Sequence, residues 1–495
     1  MTERPTVTTS LGALRGRVED GLCVFRGVPY AAPPVGAGRW RAAEPHHGWV
    51  GVRDAAEYGL SAPQPWLPGG MPPVGSHGAP PFGEDCLTLN LWTPGIDDAR
   101  RPVMVWIHGG GFVTGSGSLP FYACDTFARD GDVVAISLNY RLGPLGFLTG
   151  VGDANVWLTD QLAALHWIVA NVAAFGGDPA RVTLAGQSGG AFSIAALAQH
   201  PAGRGLFQRG ILQSPPLGLE LPTAEEALAR TTSLARHLGH DDPGALREEP
   251  WERLIGGTVA VMGEYAQFGE WGLAFLPVID AETMPRHPGA ALAEADIELL
   301  IGWTSAEASF AFGMNPQYAD ATRDQVIGWA RTRYGDRAPA LYSTYAGASA
   351  TASPRDVLTE MVTDGLFRCD GFRVAAARGA AQGAARPVHA YQFEVPSPLL
   401  GGALGATHCM ELPFTFANID RWGPAPFVQG VPADVVERVT GALHSAWISF
   451  IRDGDPNPGH GAPWRPYRAD DPAVLVIRDD DIRMVNDLPS PALCA

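Results

Sequence analysis

Lysine is absent from this chain, so all 35 basic residues are arginine. That excludes a Schiff-base lysine. It also excludes a Walker-type phosphate loop, despite the run Gly109-Gly110-Gly111. Basic runs are missing too, and the formal net charge is −17. Neither nucleic acid nor an anionic membrane is therefore an expected partner. No segment approaches the ~18 uninterrupted apolar residues that a spanning helix needs. The opening residues, from Met1 to Val7, hold no apolar core of a secretory signal. Cysteine is scarce: Cys23, Cys86, Cys124, Cys369, Cys409 and Cys494 lie far apart, with no C-x-x-C. They are expected to be reduced thiols of a cytoplasmic protein, most of them buried as small apolar side chains. His237 and His240 are spaced as a ligand pair, but no carboxylate or cysteine cluster joins them, so no metal is expected.

What is present is apolar. A hydrophobic fraction of 46% supports a substantial core. Short apolar runs at Val103–Ile107, Val133–Ser137, Val182–Ala185, Gly210–Ser214, Leu299–Trp303 and Val388–Val395 read as strands. An amphipathic helix is expected over Asp160–Ala174 and a longer one over Ala433–Arg452. The alternation predicts an α/β protein with a mostly parallel central sheet flanked by helices. Glu84–Trp92 alternates polar and apolar residues, as a half-buried strand does. The helical stretches 217–272 and 315–385, with the Pro- and Gly-dense segment 61–82, are expected as insertions covering the sheet. No repeat or long linker demands a second unit, so residues 1–495 are expected to form one domain. The end of the chain reads as a Pro-rich tail.

Gly186-Gln187-Ser188-Gly189-Gly190 fits G-x-S-x-G between a buried strand and a helical pattern, the setting of a nucleophile elbow. In a chain with 60 glycines the motif alone is weak. A serine hydroxyl also needs a base, a group that orients the base, and donors for the developing oxyanion. Ser188, Glu307 and His408 follow the order Ser…Glu/Asp…His, each just past an apolar strand or in a Gly-containing loop. Other histidines compete. His166 and His444 fall within helices, and His108 reads as shaping the glycine turn. Cys409 stays open as another nucleophile. The run His108 to Phe112 closes a strand with three glycines, whose backbone N–H groups can face a ligand without Cβ obstruction.

Several separate motifs then agree in order. They are Phe25-Arg-Gly-Val-Pro-Tyr-Ala, Glu84-Asp-Cys-Leu-Thr-Leu-Asn-Leu-Trp-Thr-Pro, His108-Gly-Gly-Gly-Phe, and Asn139-Tyr-Arg-Leu-Gly. Further on come Asp160-Gln-Leu-Ala-Ala-Leu, Phe175-Gly-Gly-Asp-Pro, the elbow, Gln213-Ser-Pro, and Phe450-Ile-Arg-Asp-Gly-Asp-Pro-Asn. Through them the chain resembles the type-B carboxylesterases almost end to end. The resemblance implies an α/β-hydrolase fold with helical insertions over the active site. It implies Ser188 as nucleophile, Glu307 as triad acid and His408 as base, with oxyanion donors at Gly110, Gly111 and Gly189. It also sets Ser214 and Gln187 beside the triad, and a two-step acyl transfer without cofactor or metal.

The chain departs from that family at four places. Gln187 stands where glutamate is usual, which weakens the case for a cationic, choline-like substrate. Gly189 replaces a common alanine. Trp157 stands where glycine is frequent. Cys86 lacks the upstream partner of disulfide-bearing relatives, since only Cys23 precedes it. Of Phe112, Phe310, Phe312, Phe414 and Phe416, two or three are expected to line an apolar pocket. The expected activity is a serine carboxylesterase taking neutral, moderately apolar small-molecule esters, with oligomeric state open. An amidase or carbamate hydrolase using the same triad is the alternative. An inactive binding relative is disfavoured because all three triad residues are present.

Overall fold

A computed structural model describes residues 4–65, 81–348, 351–380, 386–423, 425–459, 463–486, 488 and 492–494. Most of segment 61–82 lies outside the described residues. Seven parallel strands form the centre of an eleven-stranded sheet: β1 (Arg101–Ile107), β2 (Val134–Leu138), β3 (Gly177–Gln187), β4 (Arg209–Gln213), β5 (Glu298–Thr304), β6 (Val388–Phe393) and β7 (Val474–Ile477). Their spatial order is β2-β1-β3-β4-β5-β6-β7. Antiparallel strands extend both edges: Thr88–Thr93, Leu22–Pro29 and Arg17–Glu19 beyond β2, and Ile482–Val485 beyond β7.

The order reverses at β1. The chain passes from β1 outward to β2, then returns to the other flank as β3. Ligands bind at the carboxyl ends of strands at such a switch point. Ile107, the last residue of β1, pairs with Gly186 of β3. The glycine run after β1 and Ser188 after β3 therefore emerge side by side.

The sheet is apolar on both faces, as a covered parallel sheet must be. Alternate residues separate cleanly. Val182, Leu184, Leu212, Leu299 and Ile301 enter one core cluster; Ala185, Ile211 and Leu300 enter the other. Helices α1 (Val156–Asn171) and α2 (Gly189–Gln199) cover the first face. The insertions supply α3 (Ala224–His237) and α4 (Trp251–Tyr265), then α5 (Arg323–Tyr334), α6 (Ala338–Gly347), α7 (Pro354–Thr363) and α8 (Cys369–Ala380). Thr223 and Glu226 form a reciprocal cap on α3, and Thr322 with Gln325 do so on α5. Helix α9 (Ala433–Asp453) covers the second face through Trp447 and Phe450. No described helix is long and apolar enough to cross a membrane.

Three expectations are corrected. Thr88–Thr93 alternates in polarity but is buried throughout. Its polar members are paired inside the sheet: the Asn90 side chain accepts from Gly27 N–H at 3.1 Å and donates to Ser137 Oγ at 3.2 Å. The Pro-rich tail supplies two sheet strands, each only four residues long. Runs that short carry almost no periodic signal. Finally, Cys369 and Cys494 are joined in a disulfide, Cα atoms 5.2 Å apart across 125 residues of sequence, while Cys23, Cys86, Cys124 and Cys409 are free. The end of the chain returns to the start of α8, a juxtaposition that spacing could not reveal. Part of the argument for a reducing compartment falls with it.

Candidate active site

Ser188 sits between β3 and α2 with φ 55° and ψ −124°. A non-glycine residue holds such a conformation only where its surroundings fix it. Here Ser188 N–H donates to Gln213 O at 2.9 Å, and Ser188 O accepts from Phe192 N–H at 2.9 Å. The turn also presses on β1: a Cβ at Gly190 would overlap the Ile107 carbonyl oxygen. Strand, elbow and helix thus leave the serine little freedom and aim it past the sheet's carboxyl edge.

Glu307 and His408 come from two loops stitched together. Ala306 N–H donates to Ala406 O at 3.0 Å, and Phe310 N–H to Thr407 Oγ1 at 3.0 Å. Glu307 is fully buried. One of its carboxylate oxygens accepts from Thr304 N–H at 2.7 Å, and the other lies 2.5 Å from His408 Nδ1. A proton on Nδ1, directed at Glu307, leaves Nε2 as the basic nitrogen. Trp271 and Phe367 border the imidazole, with ring centroids 5.8 and 5.1 Å away. The Gln187 amide nitrogen stands 2.9 Å from Nε2 and can donate to it. Among the described residues Ser188 Oγ makes no hydrogen bond to His408. Gln187 holds the nitrogen that the serine would use, and catalytic bonds are often completed only when substrate binds.

The loop that holds the glycine run after β1 is fastened by Gln64 and Tyr140. Gln64 donates to Gly115 O at 2.8 Å and accepts from Gly115 N–H at 2.9 Å. Tyr140 O–H donates to His108 O at 2.9 Å, and its ring stacks on His108 at 4.6 Å. Burial pushes the His108 imidazole down to about 4, so it is neutral near pH 7. Gly110 adopts φ +115°, and a Cβ there would overlap Thr114 O. The N–H groups of Gly110, Gly111 and Gly189 make no hydrogen bond among the described residues, and all three glycines line one cavity with Ser188 and His408. Gly189 is also the first residue of α2, where the helix dipole favours negative charge.

That cavity measures about 780 Å³. No Asp, Glu or Arg is among its described lining residues. The insertions supply Met262 and Trp271 from one stretch and Leu366 and Phe367 from the other. Two π-helical turns, Ser309–Gly313 and Asp364–Arg368, carry Phe310 and Phe367 to the wall; such turns are rare and recur at functional sites. Of the five phenylalanines singled out from sequence, Phe112 and Phe310 line the cavity. The other three pack in the core. Phe312 lies 4.9 Å from Tyr318, Phe414 5.6 Å from Phe393, and Phe416 4.8 Å from Trp106. After His408 the chain enters the short helix Leu412–Thr415, which faces the second core cluster. Trp271, Phe367 and Phe427 were missed; they lie in irregular or helical stretches with no local motif.

Beneath Ser188, Glu307 and His408 lies a buried polar layer. Ser214 is fully buried at φ 48°, its N–H donating to Gly302 O at 2.8 Å. Its Oγ has no partner among the described residues. Glu411 accepts from Gln213 Nε2 at 3.2 Å through one oxygen, while the other has no partner among the described residues. Burial, and then the Glu307 charge, push its carboxyl up to about 7. Cys409 borders the cavity, and burial pushes its thiol well above the ordinary range, which disfavours it as a nucleophile. His444 bonds Thr415 O at 2.8 Å, and His166 is exposed on α1. Neither lines the cavity.

A model of the carboxylesterase family matches residues 3–491. The chain is 61% identical over 491 residues to the phenmedipham hydrolase of Pseudarthrobacter oxydans, covering 99% of this chain and 98% of that relative. It is 34% identical to the para-nitrobenzyl esterase of Bacillus subtilis (strain 168), covering 97% and 96%. The crystal structure of a Geobacillus stearothermophilus carboxylesterase superposes with a TM-score of 0.85 at 33% identity, covering 98% of each chain.

Proposed function

Because this chain belongs to the carboxylesterase family and is a hydrolase of carboxylic esters, we propose that it cleaves neutral, moderately apolar small-molecule esters through an acyl-enzyme on Ser188. Residues 1–495 act as one catalytic domain in this reading. The observation that carries it is the 2.5 Å bond from His408 Nδ1 to buried Glu307, beside an elbow serine in a cavity whose described wall holds no Asp, Glu or Arg.

His408 Nε2 leaves Gln187 and takes the proton of Ser188 as Oγ attacks the ester carbonyl carbon. The carbonyl oxygen becomes an oxyanion held by the N–H groups of Gly110, Gly111 and Gly189. Glu307 steadies the imidazolium. The tetrahedral intermediate collapses, the ester C–O bond breaks, and His408 returns the proton to the leaving alcohol. Water, activated by the same histidine, then attacks the acyl-enzyme and releases the acid.

The test is hydrolysis of para-nitrophenyl acetate, butyrate and octanoate by wild type and Ser188→Ala. The variant should lose at least ~10³-fold in kcat, and a fluorophosphonate should label the wild type alone. Activity surviving in Ser188→Ala discards this nucleophile.

A carbamate reading is favoured by one finding, the 61% identity to a relative named for hydrolysing phenmedipham, a carbamate. The same residues would form a carbamoyl-enzyme. Turnover of phenyl N-phenylcarbamate with kcat/KM above that for phenyl acetate supports it. The reverse ranking leaves the ester reading alone.

A further inference from the structure

Phe112 joins the two halves of the proposed oxyanion site. It follows Gly111 in the chain, and its ring faces Gly189. Its backbone φ is 64°, which a bulky residue keeps only when held. Its carbonyl accepts from Gly143 N–H at 2.8 Å. Its ring is 1% exposed and packs against Phe147, Phe192 and Trp157, with centroids 5.3, 5.5 and 5.9 Å away. Trp157 in turn stacks on Phe147 at 5.4 Å with an interplanar angle of 11°. The indole N–H of Trp157 donates to Asn155 Oδ1 at 3.3 Å, and the Asn155 amide donates to Val278 O at 2.8 Å. The block behind Phe112 is closed and anchored. In front of it, a Cβ at Gly189 would stand 3.1 Å from Phe112 Cε1 and 3.2 Å from Cδ1. An alanine there requires the ring to withdraw by a few tenths of an ångström, against the close-packed rings of Phe147, Phe192 and Trp157.

We propose that Trp157 is a positioning residue for catalysis: through Phe112 it sets the spacing between the glycine run and Gly189, and it disfavours a side chain at 189. Trp157 does not line the cavity. The inference rests on the oxyanion roles proposed above. Two of the places where the chain departs from the family pattern are thus one physical unit, with a phenylalanine ring between them.

A double-mutant cycle tests this. Gly189→Ala is made in the wild type, in Trp157→Ala and in Trp157→Phe. Each protein is assayed for kcat and KM on para-nitrophenyl butyrate. Each is also assayed for Ki of an aryl trifluoromethyl ketone, whose adduct with Ser188 places an oxyanion on the same donors. Fluorophosphonate titration counts competent sites, so misfolded protein does not enter kcat. In the wild type, Gly189→Ala should lower kcat about tenfold with KM within about twofold, as misplacement of an oxyanion donor does. In Trp157→Ala the ring can retreat, and the same change should cost less than about threefold. The ketone Ki should follow kcat. Trp157→Phe, which keeps a ring on Phe147, should give an intermediate penalty and supplies the comparison if Trp157→Ala does not fold. Equal penalties in all backgrounds, or a penalty confined to KM, overturn the inference. Activity that survives Ser188→Ala overturns the underlying reading instead, so the two failures are distinct.

Discussion

Two glutamates are buried close to His408, and they are treated oppositely. Glu307 has a donor for each oxygen, Thr304 N–H at 2.7 Å and His408 Nδ1 at 2.5 Å. Among the described residues Glu411 has one, Gln213 Nε2 at 3.2 Å, and its second oxygen has no partner there. Both are 0% exposed, so burial alone does not separate them. What separates them is the supply of hydrogen-bond donors, which lowers the cost of a buried charge. In the mechanism proposed above, Glu307 faces an imidazolium. Glu411 is left to bear both the loss of water and its neighbour's charge, and its carboxyl rises to about 7.

The largest effect expected from this contrast is catalytic. Glu307→Gln should lower kcat on para-nitrophenyl butyrate by ~10³–10⁴-fold, because the amide no longer enforces the tautomer with Nε2 free. Glu411→Gln keeps an acceptor for Gln213 and should change kcat less than about tenfold. Comparable losses in the two variants would erase the distinction drawn between them.

The asymmetry between these residues was only half legible in the sequence. Glu307 follows the apolar strand Leu299–Trp303, and strand-end carboxylates between a serine and a histidine are what triad order selects. Glu411 lies three residues past His408, and nothing local distinguishes a buried carboxyl from an exposed one. The same limit explains the phenylalanines. Proximity in sequence to His408 favoured Phe414 and Phe416, yet the helix at Leu412–Thr415 turns them into the core. Trp271 and Phe367 reach the imidazole from insertions that only tertiary folding brings near. Strands β1 to β6 were legible because each carries a short, mainly apolar run in a sheet with both faces covered. The four-residue strands of the tail were not.

A smaller effect should appear in stability. A carboxyl whose folded value is raised stabilises the fold fully below its ordinary range, near 4.5. That contribution is lost as pH rises through about 7. Wild type should therefore lose stability between pH 5 and pH 8 through Glu411, by on the order of 1–3 kcal/mol. Glu411→Gln has no proton to lose. Its thermal midpoint relative to wild type should be higher at pH 8 than at pH 5. A difference that is constant across that range refutes the raised carboxyl.

The smallest effect concerns a third acidic position that the chain has neutralised. Gln187 is buried against His408, and its amide can donate to Nε2 as a carboxylate cannot. The described wall of the cavity holds no Asp or Glu, so with Gln187 it offers a cation no carboxylate. Gln187→Glu would install a carboxylate beside the one imidazole that must change charge, in the same low-dielectric layer as Glu307 and Glu411. A quaternary ammonium within several ångströms gains from that charge, and a neutral ester does not. The ratio of kcat/KM for butyrylcholine over para-nitrophenyl butyrate should rise by about three- to tenfold, since one unscreened charge in a partly hydrated cavity is worth ~1 kcal/mol. The neutral ester serves as the internal control, because any harm done to His408 slows both substrates alike. An unchanged ratio would mean that the uncharged wall, and not Gln187, sets the preference for neutral substrates.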